Sequence, residues 1–312
     1  MIDSRRGCVG QVAAGEDRMP SLDSTNLFTP EAVAALRRHP SFDQVVDGLA
    51  AASLDEVAQA DDTGRWMFRD LGRSSLYVAA VILDASPVGL TAATLAASAR
   101  DDGAASRGRA MAFLRRAQAA GEVTAPPGDG PWTRRRLIVA PAFIERLRHG
   151  SLIYARAAAA LFPDMAALPE QLFDDAFFRA YMLWLGVASQ ATKGATPAMG
   201  ATQELFLNRD RGMSMVFRWL VSQPRPRARL LVSAHLSRSG LAAEFGVSRV
   251  HINRLLSDAS AAGLLSCPAP DRVTFSQAMS DEIEQMLVVT LQISRMAYLA
   301  AVAQFQGAPA FV

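Results

Sequence analysis

The stretch LAAEFGVSRVHINRLLSDASAAGLL, residues 241–265, decides the fold of this chain. It opens with apolar residues that share one face of a short helix: Leu241, Ala242 and Phe245. Gly246 follows where the chain must turn sharply, a position that suits a residue tolerating positive φ. Ser248 is then a good N-cap for a second helix. The stretch therefore predicts two short helices joined by a tight turn.

The second predicted helix has one apolar and one polar face. Its apolar residues recur at three- and four-residue steps and predict a buried stripe: Ile252, Leu255, Leu256 and Ala259. The other face carries Arg249, His251, Asn253 and Arg254, and Gly263 ends the helix. Arg and Asn side chains can bond bidentately to guanine and adenine edges, and they meet bases from the N-terminal part of a recognition helix. The pattern is typical of a DNA-binding helix-turn-helix.

The run SRVHINRLL, residues 248–256, resembles the recognition helix of Crp/Fnr-type transcription regulators. The whole module is similar to bacterial winged helix-turn-helix domains. Nothing upstream has the series of short strands that a cyclic-nucleotide-binding barrel needs, so the effector half of that family is not implied.

The same pattern occurs earlier in the chain at a constant offset of 142 residues. The matched pairs are Ser106 with Ser248, Arg107 with Arg249, Ala110 with Ile252, Phe113 with Leu255, Leu114 with Leu256, and Gly121 with Gly263. The interval from Leu95 to Ser106 is four residues longer than its counterpart, and a longer loop is typical of winged helices. A degenerate copy kept for packing or for partner contact is the alternative.

Each copy is followed by a predicted β-hairpin. In the first, residues 122–139 contain two short strand candidates around a Pro/Gly loop with Trp132 and three consecutive arginines: Arg134, Arg135 and Arg136. The second hairpin, residues 264–275, is shorter and contains Arg272. A capped basic helix followed by an arginine-bearing hairpin resembles the DNA-binding domain of MarR-type regulators. That resemblance implies that the hairpins are wings, whose arginines are expected to touch phosphate rather than bases.

The predicted fold is mainly α, with two winged helix-turn-helix domains that carry small β-hairpin wings and are joined and flanked by helices. The expected segments are a flexible arm (1–26), a helical leader (27–73), the first module (74–148), a helical connector (149–210), the second module (211–275) and a C-terminal long helix (276–312). In MarR-like proteins the terminal helices form the dimer interface, so the resemblance implies a homodimer through these helices.

Further helices are predicted from periodicity, caps and prolines at 30–38, 42–52, 54–60, 141–162, 169–188, 211–222 and 277–305, with a loop at 192–202. Aromatic residues recur at helical intervals in the connector: Phe162, Phe173, Phe177, Phe178, Tyr181 and Trp184. Such residues are more often core than a ligand pocket. A pocket between these helices and a module is where a small-molecule effector, of unknown identity, would bind.

The net charge of +2 is small, but basic residues are unevenly distributed. From Arg218 to Arg254 seven arginines face one acid, Glu244, and arginine also exceeds Asp plus Glu between residues 100 and 150. Such local surpluses are expected of nucleic-acid contact. The two cysteines show no metal spacing, and neither a secretory signal nor a clean membrane span is evident. We therefore expect a cytoplasmic, nucleoid-associated protein without membrane contact.

The sequence therefore predicts a bacterial-type transcription regulator that binds double-stranded DNA, without cofactor, metal or catalytic residues. The expected DNA-binding residues are Ser248, Arg249, His251, Asn253, Arg254, Ser106, Arg107, Arg109, Arg115, Arg134, Arg135, Arg136 and Arg272. For His251, a surface histidine without a role is an equal alternative. An enzyme is disfavoured because no phosphate loop, nucleophile elbow or metal-ligand cluster is present. A protein-binding adaptor built on winged helices remains open, although an adaptor does not need the arginine surpluses.

Overall fold

The structure is a computed structural model that describes residues 29–101, 103, 105–192, 200–223 and 227–306. It is mainly helical, with two small antiparallel sheets, as predicted. The expected N-terminal arm and most of the expected loop at 192–202 lie outside the described residues.

The helices are α1 (Pro30–Arg37), α2 (Phe42–Gln59), α3 (Asp62–Met67), α4 (Leu71–Ala85), α5 (Ala92–Asp101), α6 (Arg107–Ala119), α7 (Pro141–Leu161), α8 (Leu168–Gln171), α9 (Asp175–Ala191), α10 (Gly200–Thr202), α11 (Gly212–Val221), α12 (Arg238–Phe245), α13 (Arg249–Ala261) and α14 (Gln277–Gln306). The strands are β1 (Val123–Thr124), β2 (Ile138–Val139), β3 (Ser233–His235), β4 (Leu265–Ala269) and β5 (Arg272–Phe275). A π-helical segment, Gln203–Leu207, follows α10 directly.

The chain forms two compact units that do not follow the linear order of segments. Among the described residues, unit 1 comprises the ranges from 72 to 192 and from 292 onward, and unit 2 comprises 29–71 and the ranges from 200 to 291. The first module therefore lies in unit 1 and the second in unit 2. The leader was expected to precede the first module as a separate segment, but it groups with the second, because α2 packs against α11.

The second module contains α11, β3, α12, α13, β4 and β5 in chain order. Its three strands form an antiparallel sheet in the order β3-β5-β4. Gly246, with φ of 62°, ends α12 in the left-handed conformation, and the Ser248 hydroxyl accepts a hydrogen bond from the His251 amide at 3.1 Å to cap α13. The predicted pair of helices, with its turn and hairpin, is thus confirmed. The short strand β3 was not predicted.

The first module repeats this local structure. Helices α6 and α13 both have 13 residues, and they begin and end at the predicted offset. Ser106 accepts from the Arg109 amide as Ser248 does from His251, and Gly121 and Gly263 have φ of 72° and 71°. The three matched apolar positions are buried in both helices. The first hairpin differs, since β1 and β2 form a sheet of only two strands around a longer loop.

Two expected helix boundaries are wrong. Residues 42–60 were expected to form two helices, but α2 runs unbroken from Phe42 to Gln59, because no glycine, proline or competing cap interrupts the chain at Ser53. In the connector, one expected helix at 169–188 is divided into α8 and α9, because Asp174 caps α9 by accepting from the Phe177 amide at 2.7 Å.

Helix α14 has the predicted extent, and its apolar face is used within the chain. Its residues up to Leu291 belong to unit 2 and those from Gln292 to unit 1. Most of the apolar positions are buried, including Ile283, Leu287, Leu291, Met296 and Ala300. By length and composition α14 is also the one helix among the described residues that could cross a bilayer. However, 61% of its most apolar 18-residue stretch is buried in the fold, and core helices of soluble proteins can be equally long and apolar.

In unit 1, α9 is fixed to the end of α14 by two polar contacts. The Tyr181 hydroxyl and the Ser294 hydroxyl are 2.8 Å apart, and the Trp184 indole N–H donates to Gln304 at 2.8 Å. Burial raises the pKa of Tyr181 to about 12, so this phenol stays protonated at neutral pH. The connector aromatics Phe177, Phe178, Tyr181 and Trp184 are buried, as expected of core residues.

The segment before α11 is tightly constrained. Arg211 has φ of 60°, the left-handed conformation that residues other than glycine rarely adopt. Gly212 lies directly against the π-helical segment, and a Cβ atom at this position would be 2.2 Å from the Phe206 carbonyl oxygen. This close approach needs glycine, and it constrains the path of residues 206–212.

Replacing Gly212 by Ala should lower the free energy of unfolding by about 2 kcal/mol or more, because backbone must move to admit the new methyl group. Gly48→Ala is the matched control, since a Cβ there meets nothing within 4 Å and alanine favours the interior of α2 by about 1 kcal/mol. Urea denaturation followed by circular dichroism measures both variants. Equal stability of the two variants would contradict the close packing at Gly212.

Candidate nucleic-acid interface

Helix α13 presents one continuous exposed face. The residues of its predicted apolar stripe, Ile252, Leu255, Leu256 and Ala259, are at most 3% exposed. The opposite side carries four exposed residues at one-, three- and four-residue spacing, which form a single surface patch: Arg249, Val250, Asn253 and Arg254. We call these four residues the α13 face. Three of them were predicted, whereas Val250 was missed, although its position opposite the apolar stripe was visible in the sequence.

Two members of the α13 face have no protein partner among the described residues: Arg249 and Asn253. Arg254 lies 4.0 Å from Asp258, but that carboxylate already accepts a hydrogen bond from Arg209 at 2.5 Å. The Arg254 side chain is 80% exposed, and such a surface ion pair contributes at most about 1 kcal/mol. All three polar side chains are therefore available to an external ligand.

His251 lies at the edge of this face and is used inside the protein. Its Nε2 atom is 3.0 Å from the backbone oxygen of Asp210. Together with the Arg209–Asp258 ion pair, this contact ties α13 to the constrained segment 203–212. His251 was proposed as a DNA contact, but its position instead favours a role in holding the helix.

The second hairpin adds one free arginine to the same module. Arg272 pairs with His235 across β5 and β3, is exposed, and has no ion-pair or hydrogen-bond partner among the described side chains. The hairpin turn itself is held by Arg238, whose guanidinium donates to the Pro270 carbonyl oxygen at 2.5 Å. The turn is thus fixed, while Arg272 at its end remains accessible.

In the first module, the corresponding helix α6 has a different surface. Arg107 and Arg115 are exposed and show no partner within the described ranges, and Arg109 is half-buried with interactions of its own. At the positions that match Asn253 and Arg254 this helix has Met111 and Ala112. Helix α6 therefore presents charge without the amide and guanidinium groups of the middle of α13.

The three loop arginines of the first module do not act alike. The Arg135 guanidinium donates to the carbonyl oxygens of Gly130, at 2.6 and 3.1 Å, and of Pro126, at 3.0 Å. Arg136 packs on Gly89 and donates to the Asp84 carbonyl oxygen at 3.5 Å. Of these three arginines, Arg134 alone is exposed and has no partner among the residues that the structure describes. Sequence could not distinguish these side chains, because their acceptors depend on how the loop folds.

Several of the arginines between 218 and 254 are engaged within the protein. Arg218 forms an ion pair with Glu244, and Arg229 donates to the Phe275 carbonyl oxygen at 3.0 Å. Arg227, with its side chain only 1% exposed, lies 2.9 Å from Asp47 and 3.4 Å from Asp43 of α2. Within the described part of this range, the accessible charge is therefore concentrated on α13.

Other kinds of site receive little support from the described residues. No group of three His, Cys, Asp or Glu side chains there is arranged to hold a metal ion. Unit 1 has a shallow open groove where α9 meets the end of α14, lined by Gln171, Asp174, Phe177, Val302, Phe305 and Gln306. Of the connector aromatics, only Phe173 is largely exposed.

Replacing Arg135 by Ala should lower the free energy of unfolding by about 1 to 2 kcal/mol, because two loop carbonyls lose a charged donor. Arg134→Ala, one residue away, should change it by less than about 0.5 kcal/mol. Thermal and urea unfolding of the two variants measures the difference. If Arg134→Ala is the more destabilising change, the assignment of their roles is wrong.

Comparison of the chain with protein-family models, with curated proteins and with solved structures gave no match.

Proposed function

We propose that the chain is a sequence-specific double-stranded DNA-binding transcription regulator, built from two winged helix-turn-helix modules. The observation that carries this proposal is the α13 face. Three polar side chains that can bond to base edges or phosphates lie exposed on a helix whose opposite side is fully packed. A rigid helix with a free Arg and Asn near its N-terminus is suited to the major groove.

The proposed binding mode places the first two turns of α13 in the groove. Arg249 would bond to guanine O6 and N7, and Asn253 to adenine N6 and N7. Arg254 would lie near the next bases, and Arg272 of the hairpin would contact phosphate. The Ser248 side chain caps one amide group of the first turn, and the amide groups left unpaired there carry partial positive charge that would favour a backbone phosphate.

The two modules would contribute differently to DNA binding. In the first, Met111 and Ala112 replace the base-bonding Asn253 and Arg254. Its free arginines, Arg107, Arg115 and Arg134, are suited to phosphate, which raises affinity without base preference. We therefore assign base recognition to the second module and backbone contact to the first. Two modules in one chain would then favour an asymmetric site, and neither a cofactor nor catalysis is part of the proposal.

The decisive experiment selects a binding site from random duplexes with the full chain and then measures variants. Arg249→Ala should weaken binding to the selected site by about 1 to 3 kcal/mol and lower its preference over random DNA. Arg156→Ala is the matched control, because Arg156 is exposed on α7, away from α6 and α13 in sequence, and should leave binding unchanged. Equal losses on specific and random DNA for Arg249→Ala would refute base recognition by this residue.

For Arg134→Ala, the expected result is a uniform loss of affinity for all sequences, with the slope of log K against log salt reduced by about 1. Fluorescence anisotropy between 50 and 200 mM salt measures the slope. A change in base preference would contradict a phosphate contact. If the wild-type chain shows no salt-dependent DNA binding at all, the modules act as a protein-binding adaptor instead.

A further inference from the structure

Val250 has the most exposed side chain among the large hydrophobic residues that stand out on the described surface, at 75%. It is the second residue of α13, next to Arg249 and one turn before Asn253 and Arg254. An isolated exposed valine needs no explanation in itself. Its position does need an explanation, because Val250 lies at the centre of the α13 face among side chains that can bond to base edges.

Neither packing nor helix formation accounts for this residue. The packing of α13 is supplied by the opposite stripe, of which Ile252 and Leu255 are fully buried. Valine is also a poorer helix former than alanine, because its branched side chain loses rotamers against the preceding turn. A residue that serves the isolated fold at this position would be alanine or a charged side chain.

The surroundings of Val250 indicate the chemistry of what it meets. Its neighbours Arg249 and Asn253 have no partner within the described ranges and are suited to guanine and adenine edges. The major-groove edge of DNA has one apolar group, the 5-methyl group of thymine. We propose that Val250 recognises a thymine by contact with this methyl group, an inference that rests on the proposed DNA-binding function.

The first module provides an internal contrast. The position that matches Val250 is Gly108, which has no side chain to offer a methyl group. The packing does not require glycine there, since a Cβ would meet only the Ser106 hydroxyl at 3.9 Å. Recognition of thymine by this position is therefore confined to the second module, and the methyl-sensitive thymine lies in one part of an asymmetric site.

The test uses the full chain and its selected DNA site, with each thymine replaced in turn by deoxyuridine. This change removes only the methyl group and keeps the base pair and the O4 acceptor. At one thymine it should weaken wild-type binding about fourfold, the effect of one buried methyl group. Val250→Ala should weaken binding to the unmodified site to a similar degree and should abolish the uracil effect at that thymine alone.

Two controls separate recognition from structure. Val250→Ala should not lower the thermal unfolding temperature, because the side chain is exposed and alanine is the better helix former. In Arg249→Ala the uracil effect at the same thymine should persist, since that variant keeps Val250.

Specific wild-type binding that is unchanged by uracil at every thymine would overturn the inference while leaving the proposed function intact. The inference would also be overturned if, at every thymine, the fold losses in affinity caused by uracil and by Val250→Ala simply multiplied in the combination. Two groups in contact do not contribute independently to binding. Wild-type protein without any sequence preference would overturn both the inference and the proposed function.

Discussion

The way α13 is held determines what the rest of the second module can do. One side of the helix is buried through Ile252, Leu255, Leu256 and Ala259, and its edge is tied through His251 and Asp258 to the segment 203–212. That segment is itself held by the contact of Gly212 with Phe206. Because the apolar stripe and one edge of the helix are engaged, the remaining face is exposed and keeps a fixed orientation. A fixed face is what recognition of base edges requires, since loose side chains lose binding energy in being ordered.

The features that the sequence predicted well are those that depend on near neighbours. The caps at Ser106 and Ser248, the left-handed Gly246 and the apolar stripes each follow from residues within one or two helical turns. The repeat at an offset of 142 residues was visible for the same reason. The expected break at Ser53 does not occur and α2 is continuous, since the alanines that precede Ser53 favour a helix.

The features that could not be predicted depend on distant partners. Arg135 and Arg136 belong to one basic run, yet one bonds to its own loop and the other to the end of α4. His251 lies on the polar side of its helix, but its ring meets Asp210, 41 residues earlier in the chain. Strand β3 has little β-propensity in its sequence, Ser-Ala-His, and exists because β5 offers it a free edge. Composition records how many arginines are present, and only the fold shows which remain free.

The apolar stripe and the exposed face of α13 share no residue, and the same separation holds in α6. Substitutions on the exposed face therefore change the free energy of unfolding very little, whereas substitutions in the stripe disturb the packing of the helix against the core. Single changes at solvent-accessible positions of α6 such as 108, 111 and 112 can therefore alter the chemistry of its surface while the caps and core stay intact. The exposed face of either helix can thus diverge without loss of stability, so two helices with the same caps and core can present different chemistry to an external ligand.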